Sequence, residues 1–314
     1  MKCYDVFNGD ADGIISLVQL RRAEPRDAKL ITGRKRDVKL LDRVDVKGGD
    51  YVTVLDISMR SNADDLRRIL AANASVFYVD HHNAGEIPEH PNLIAVIDTS
   101  PEMCTAMLIN EALDGEYIAW AITATFGDNF PALAKRAAAG LDLPLEQLAR
   151  LGMLVNYNGY GGSVDDLHMH PADLYRALAP FDTPMEFLAE NKEVYNLLNE
   201  GYETDLSQAK QAKEIDRTDK GVVITLPDAA GSRRISGVFG NQLVQENPSR
   251  AHAIITAQEG GYLVSIRAPL SNREGADKLA LQFDTGGGRS AAAGINHLQE
   301  SELTRFIEAF RAAF

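Results

Sequence analysis

The octapeptide Ser75-Val76-Phe77-Tyr78-Val79-Asp80-His81-His82 is a β-branched and aromatic run that stops at an acid and two histidines. Its first part, 75–79, reads as a strand, and the polar end lies beyond the strand's carboxyl terminus. The pattern recurs upstream. Tyr51–Leu55 is followed by Asp56, and Cys3–Phe7 by Asp10-Ala11-Asp12. Further strands are predicted over 30–32 and Leu93–Ile97, with amphipathic helical stretches over 13–22 and 63–72 between them. Strand–helix alternation of this kind predicts an α/β fold with a mostly parallel sheet and helices on both faces.

In an open parallel sheet, ligands bind outside the carboxyl ends of the strands. Three strand ends would bring Asp10, Asp12, Asp56, His81 and His82 to one place. Carboxylates at that density raise one another's pKa values unless cations relieve the repulsion. A mixed Asp/His set suits Mn²⁺ or a similar divalent ion. Asp128, after a predicted helix over 116–125, is a further ligand candidate. Each acid alone also reads as a turn or helix cap, and Asp-His-His alone is a weak signal.

Taken in order, the motifs Asp10-x-Asp12-Gly13, Val54-Leu55-Asp56, Val79-Asp80-His81-His82-Asn83 and Gly127-Asp128 resemble the DHH phosphoesterase family, in particular its oligoribonuclease-like members. The stretch Asp284-Thr285-Gly286-Gly287-Gly288-Arg289-Ser290, followed by Ala291-Ala292-Ala293-Gly294, is similar to the family's DHH-associated substrate domain, with Ser265-x-Arg267 on a preceding strand. The resemblance implies two divalent metal ions, Mn²⁺ in first place. Asp56 would bridge them, Asp10 would serve one, and Asp12, His81 and Asp128 the other. It further implies a bridging hydroxide attacking phosphorus in line, His82 touching the scissile phosphate, and Asp80 orienting an imidazole.

Two positions depart from the family pattern. Val6 stands where many members carry histidine, with Asn8 as a weaker oxygen ligand in its stead. Arg289 stands where the glycine loop usually carries histidine, and its planar fork can grip a phosphate.

From about 101 to 217 the pattern is helical, starting at Ser100-Pro101-Glu102 and including stretches over 145–154, 184–198 and 203–216. Strands return at Gly221–Leu226, 252–257 and 262–267, and a helix over 301–313 closes the sequence. The expected organisation is a catalytic metal-binding DHH domain over 1–190, a helical linker over 191–217, and a smaller α/β substrate-binding domain over 218–314. Gly286, Gly287 and Gly288 are expected to form an anion-binding loop with Arg289 and Ser290, and Arg267 is a second substrate-binding candidate.

Composition bounds the partner. Among 314 residues, 32 Lys+Arg against 45 Asp+Glu leave a net charge of −13, which argues against wrapping long nucleic acid. No apolar stretch reaches the ~18 residues a membrane span needs. An acid at Asp5, where a signal peptide needs apolar residues, and only two cysteines, Cys3 and Cys104, point to the cytoplasm.

The expected activity is therefore a phosphodiesterase for very short 5′-phosphorylated oligonucleotides or linear dinucleotides. A pyrophosphatase or short-chain polyphosphatase and a non-catalytic nucleotide sensor are the alternatives. The basic run Gly33-Arg34-Lys35-Arg36 reads as a solvated loop, the stretch 156–162 as a loop near the cleft, and His168 and His170 as satisfied histidines.

Overall fold

The computed structural model describes residues 1–100 and 102–314. The chain divides into two compact units, Met1–Asn199 and Glu200–Phe314. Pro101 of the expected helix start lies outside the described residues, and the next helix begins at Thr105.

In the first unit, β1 (Cys3–Phe7), α1 (Ala11–Ala23), β2 (Lys29–Ile31), β3 (Tyr51–Leu55), α2 (Ala63–Ala71), β4 (Ser75–Asp80) and β5 (Leu93–Ile97) build a sheet of order β2-β1-β3-β4-β5. All four pairings are parallel. Since β2 and β3 leave β1 on opposite sides, the order reverses between β1 and β3, the usual place for a ligand crevice.

Alternation along the strands covers both faces. Tyr4, Val6, Val52, Val54, Val76 and Tyr78 pack with Leu66, Ile69 and Leu70 of α2. Asp5 and Thr53, of opposite parity, meet Arg21 of α1: its Nε donates to Asp5 Oδ2 at 2.8 Å and its Nη2 to Thr53 Oγ1 at 2.9 Å. This buried, forked ion pair bolts α1 to the sheet and so fixes the direction in which its N-terminus points. Asp10 caps that terminus, accepting from Gly13 N at 3.1 Å.

The helices α3 (Thr105–Ala112), α4 (Ile118–Gly127), α5 (Pro131–Ala137), α6 (Leu145–Asn158), α7 (Pro171–Leu178) and α8 (Pro184–Glu190) follow, and α9 (Lys192–Lys210) runs across the unit boundary. A Cβ at Gly152 would sit 2.0 Å from the Thr123 carbonyl oxygen, and one at Gly127 would sit 2.4 Å from the Ala11 Cβ. Only glycine permits this closeness of α4 to α6 and α1, and it carries Asp128, the C-cap of α4, towards the sheet.

The second unit contains β6 (Lys213–Arg217), β7 (Gly221–Leu226), α10 (Ala230–Glu246), β8 (Ala251–Gln258), β9 (Gly261–Arg267), α11 (Ala276–Ala280), β10 (Gly286–Arg289), β11 (Ala292–Gln299) and α12 (Leu303–Ala313). Its sheet has the order β10-β11-β9-β8-β7-β6, with only β7 and β8 parallel, joined through α10. Phe283, Phe306 and Phe310 close the core beneath it.

The stretch 203–216 is not one helix: α9 ends at Lys210, and 213–217 is the edge strand β6. Only Ile215 of that strand packs on the core, so its polar composition is that of an edge with one solvated side. The stretch 184–198 is two helices, broken at Asn191. The expected glycine loop is likewise a strand, β10, paired antiparallel with β11.

A candidate metal centre

Four segments of the first unit converge. Asp10 and Asp12 lie at the start of α1, Asp56 directly after β3, Asp80 to His82 at the end of β4, and Asp128 after α4. Asp10, Asp12, Asp56 and Asp80 are all buried, with 2%, 0%, 2% and 0% of their surfaces exposed. Asp56 adopts φ +58°, a left-handed backbone that few residues other than glycine take up. Such a residue at a strand end is held against its own preference by the surrounding structure.

His81 is the hub. Its Nδ1 lies 2.8 Å from the Met103 carbonyl oxygen, which can only accept, so Nδ1 carries a hydrogen, and in the neutral ring Nε2 holds the lone pair. That Nε2 lies 3.8 Å from Asp12 Oδ2, 3.6 Å from Asp56 Oδ1 and 3.6 Å from Asp128 Oδ2. Donors held about 2.1 Å from one ion lie roughly 3–4 Å apart. A ligating imidazole anchored through its other nitrogen is the arrangement metal sites use. Two groups have ligand atoms within 4.8 Å of one another, Asp12/His81/Asp128 and Asp56/His81/His82, and they share His81. His82 is engaged at Nδ1 by Asp80 Oδ1, 2.8 Å away, while Asp80 Oδ2 is buried without a partner. The set fits a divalent cation with mixed oxygen and nitrogen ligands.

Electrostatics agrees with the geometry. Burial, reinforced by Asp128 and Asp10 and only partly opposed by His81, pushes Asp12 up to about 6. Burial and the neighbouring Asp10, Asp12, Asp128 and Asp80 hold Asp56 well above the usual carboxylate range. For His82, burial acts downwards, but the hydrogen bond and charge of Asp80 outweigh it and raise the imidazole.

Asp10 differs from the rest. Burial acts to raise it, yet Lys35 outweighs burial and holds the carboxyl below its ordinary value. The Lys35 Nζ lies 2.6 Å from Asp10 Oδ2, 3.2 Å from Asp128 Oδ1 and 3.0 Å from Asn156 Oδ1. Lys35 N donates to the Gly159 carbonyl at 2.9 Å, so the lysine is fixed at its backbone too. Asn8, the expected stand-in ligand, donates its side-chain amide to the Lys35 carbonyl at 3.3 Å and leaves Oδ1 buried without a partner. The run 33–36 is therefore no solvated loop: Lys35 enters the centre. The stretch 156–162 does border the centre, but residues 156–158 are the last turn of α6. Lys35 and Met103 escape sequence reading; the one signal for Lys35 is the basic run.

His168 and His170 serve locally. His168 Nε2 hydrogen-bonds Tyr157 OH at 2.9 Å, and His170 Nδ1 accepts from Ala172 N at 3.1 Å to cap α7. In the second unit, Arg267 donates to Asn241 Oδ1 at 2.6 Å, Ser265 Oγ at 3.0 Å and the Gly237 carbonyl at 3.1 Å. Gly286, Gly287, Gly288 and Arg289 form β10 on the sheet edge, with Arg289 exposed. Ser290 donates weakly to Asp277 Oδ2 at 3.4 Å.

The fold matches those of DHH-domain proteins. Exonuclease RecJ bound to manganese superposes with a TM-score of 0.63 at 17% identity, over 100% of this chain and 90% of RecJ. The DHH domain of a member of a ribosomal-protein family gives 0.66 at 14% identity, over 99% and 86%. A pGpG-specific phosphodiesterase from Vibrio cholerae gives 0.55 at 17% identity, over 99% and 100%. No protein-family model and no curated protein sequence matches the chain. The chain thus has the DHH-domain fold, with a parallel sheet in its first unit and a mixed sheet in its second.

Proposed function

We propose that this chain is a metal-dependent phosphodiesterase that converts very short 5′-phosphorylated oligonucleotides, linear dinucleotides above all, to mononucleotides in the cytoplasm. The observation that carries the reading is the lone pair of His81 Nε2 facing Asp12, Asp56 and Asp128 at the strand ends of a DHH fold. The likeness to a pGpG-specific phosphodiesterase supports the substrate class. The net charge of −13 supports a short substrate over a long one.

A divalent ion, Mn²⁺ in first place, would be held by Asp12, Asp56, Asp128 and His81 and would supply Lewis-acid stabilisation of the negative charge that develops on the phosphoryl oxygens. The protein's own groups do the rest. His82, fixed by Asp80, is the imidazole that meets the scissile phosphate. Met103 holds His81 in its ligating tautomer. In the second unit the open edge of β10, with Gly286, Gly287, Gly288 and Ser290, takes the terminal 5′-phosphate, and Arg289 supplies the charge. Arg267 supports this part of the sheet through Ser265 and Asn241.

The test is incubation with Mn²⁺ and a panel of a 5′-phosphorylated dinucleotide, a 24-mer RNA, a cyclic dinucleotide and pyrophosphate, with products resolved by chromatography. Selective conversion of the dinucleotide is expected. Release of inorganic phosphate from pyrophosphate alone would replace this reading with a pyrophosphatase. Arg289→Ala is expected to raise KM about tenfold for the 5′-phosphorylated substrate, the size of one lost charged hydrogen bond, and to spare the unphosphorylated one.

A further inference from the structure

The DHH resemblance implies two metal ions, yet the residues on the Asp10 side do not fit one. We propose that the Lys35 ammonium permanently fills the place of the second cation, so that the centre holds a single divalent ion. The proposal deepens the phosphodiesterase reading and rests on it in taking the cluster to bind metal.

An ammonium has three donors, and Lys35 finds three oxygen acceptors, on Asp10, Asp128 and Asn156. The ring of Tyr160 lies 5.4 Å from Nζ and adds a favourable aromatic face. Asp10, the carboxylate meant to serve the second ion, is thereby neutralised by a cation built into the chain. The other expected ligands on that side are missing or weakened as well. Val6 has no donor, and Asn8, whose amide nitrogen is tied to the Lys35 carbonyl, leaves a single neutral oxygen, Oδ1, on that side. The backbone of Lys35 is tied to Gly159 at the end of α6, so the side chain enters from a fixed point.

The remaining candidate ligands meet at His81 Nε2, Asp12 and Asp128 in one group of ligand atoms and Asp56 with His82 in the other. Asp128 is the joint between the two halves: Oδ1 faces Lys35, and Oδ2 faces His81. The division of labour follows. One mobile dication supplies Lewis acidity, and one covalently tethered monocation cancels the second excess of negative charge.

The experiment counts Mn²⁺ by titration calorimetry and elemental analysis on the full chain after chelation, and records the electron paramagnetic resonance spectrum. One Mn²⁺ per chain, with an uncoupled six-line signal, is expected. Asp10→Asn, which keeps a good helix cap, is expected to leave the count at one. Lys35→Ala is expected to admit a second Mn²⁺ at least tenfold more tightly than the unaltered chain does.

Two ions per unaltered chain with an exchange-coupled spectrum, or loss of one ion in Asp10→Asn, would overturn the lysine's role and leave the phosphodiesterase reading standing. No bound ion would overturn both. One bound ion without dinucleotide hydrolysis would uphold the lysine's role and remove the phosphodiesterase reading.

Discussion

Asp12 and Thr105 are bound side chain to backbone: Asp12 Oδ2 accepts the Thr105 amide at 2.8 Å, while Oδ1 accepts the Ala106 amide at 2.7 Å. The first two amides of α3 thus orient a buried carboxylate of the metal centre and give it the negative charge's natural partner, a helix N-terminus. Asp128, in contrast, accepts from a side chain, Lys35.

This difference separates two variants that both remove a candidate ligand. Asp12→Asn and Asp128→Asn are each expected to weaken Mn²⁺ binding at least tenfold by calorimetry. Both relieve carboxylate repulsion. Only Asp12→Asn turns an amide NH₂ against a buried backbone N–H, a defect worth about 1–3 kcal/mol. Urea unfolding in the presence of a chelator is therefore expected to find Asp12→Asn less stable than Asp128→Asn by about that amount. Equal stabilities would show that the α3 amides do not depend on Asp12.

Asp56 sits at φ +58° for a reason that is not stability. Asp56→Ala and Asp56→Gly are both expected to abolish turnover. A left-handed backbone costs a residue with a Cβ about 1 kcal/mol or more, and glycine nothing. Asp56→Gly is thus expected to unfold at higher urea than Asp56→Ala. The reverse order would mean that the backbone is relaxed at this position.

His252, on β8, is buried with only 3% of its surface exposed, and burial followed by the Arg250 charge pushes its imidazole down to about 4. Its ordinary value is about 6.5. A depressed basic group binds its proton more readily in the unfolded chain, so its contribution is full above pH 6.5 and is lost as pH falls towards 4. The loss amounts to at most roughly 3 kcal/mol below that point. Arg217, Arg250 and Glu246 are the charges around it. Comparing unaltered chain and His252→Phe by urea unfolding from pH 7.5 to 4 should give a difference that changes across this window. A difference independent of pH would mean that the fold leaves the titration of this imidazole unchanged.

The glycines of β10 are not equivalent. Gly288 has φ +143°, and a Cβ there would lie 2.4 Å from the Ala293 Cα; at Gly287 a Cβ would meet nothing within 4 Å. Gly288→Ala is expected to pull β10 away from β11 and to expose its amides to hydrogen exchange. Gly287→Ala is expected to leave protection and stability unchanged to within about 0.5 kcal/mol. Loss of protection in Gly287→Ala would show that the outer face of the strand is covered.

Much of the first unit is legible in the sequence because one period carries it. Cys3–Phe7, Tyr51–Leu55 and Leu93–Ile97 are strands at the expected bounds, since short runs rich in β-branched and aromatic residues between turn residues leave little else to form. The acids at their ends follow from the same reading. α10 escapes it because Gly231, Gly237 and Gly240 interrupt the helix's apolar pattern. β6 reads as helix because an edge strand with one partly buried apolar residue, Ile215, carries almost no period-2 signal.

Lys35 escapes for a different reason. Its partners Asp10, Asp128 and Asn156 lie 25, 93 and 121 positions away, and no local pattern announces a long-range ion pair.

The short segment 103–106 holds two members of the centre at once: the Met103 carbonyl fixes His81, and the Thr105 and Ala106 amides fix Asp12. The same Ala106 offers its carbonyl to Gln19 Nε2 of α1 at 3.2 Å. A glutamine that touches no candidate ligand is thereby linked through one residue to Asp12. The position of Asp12 is accordingly open to adjustment by substitutions that leave every candidate ligand the same.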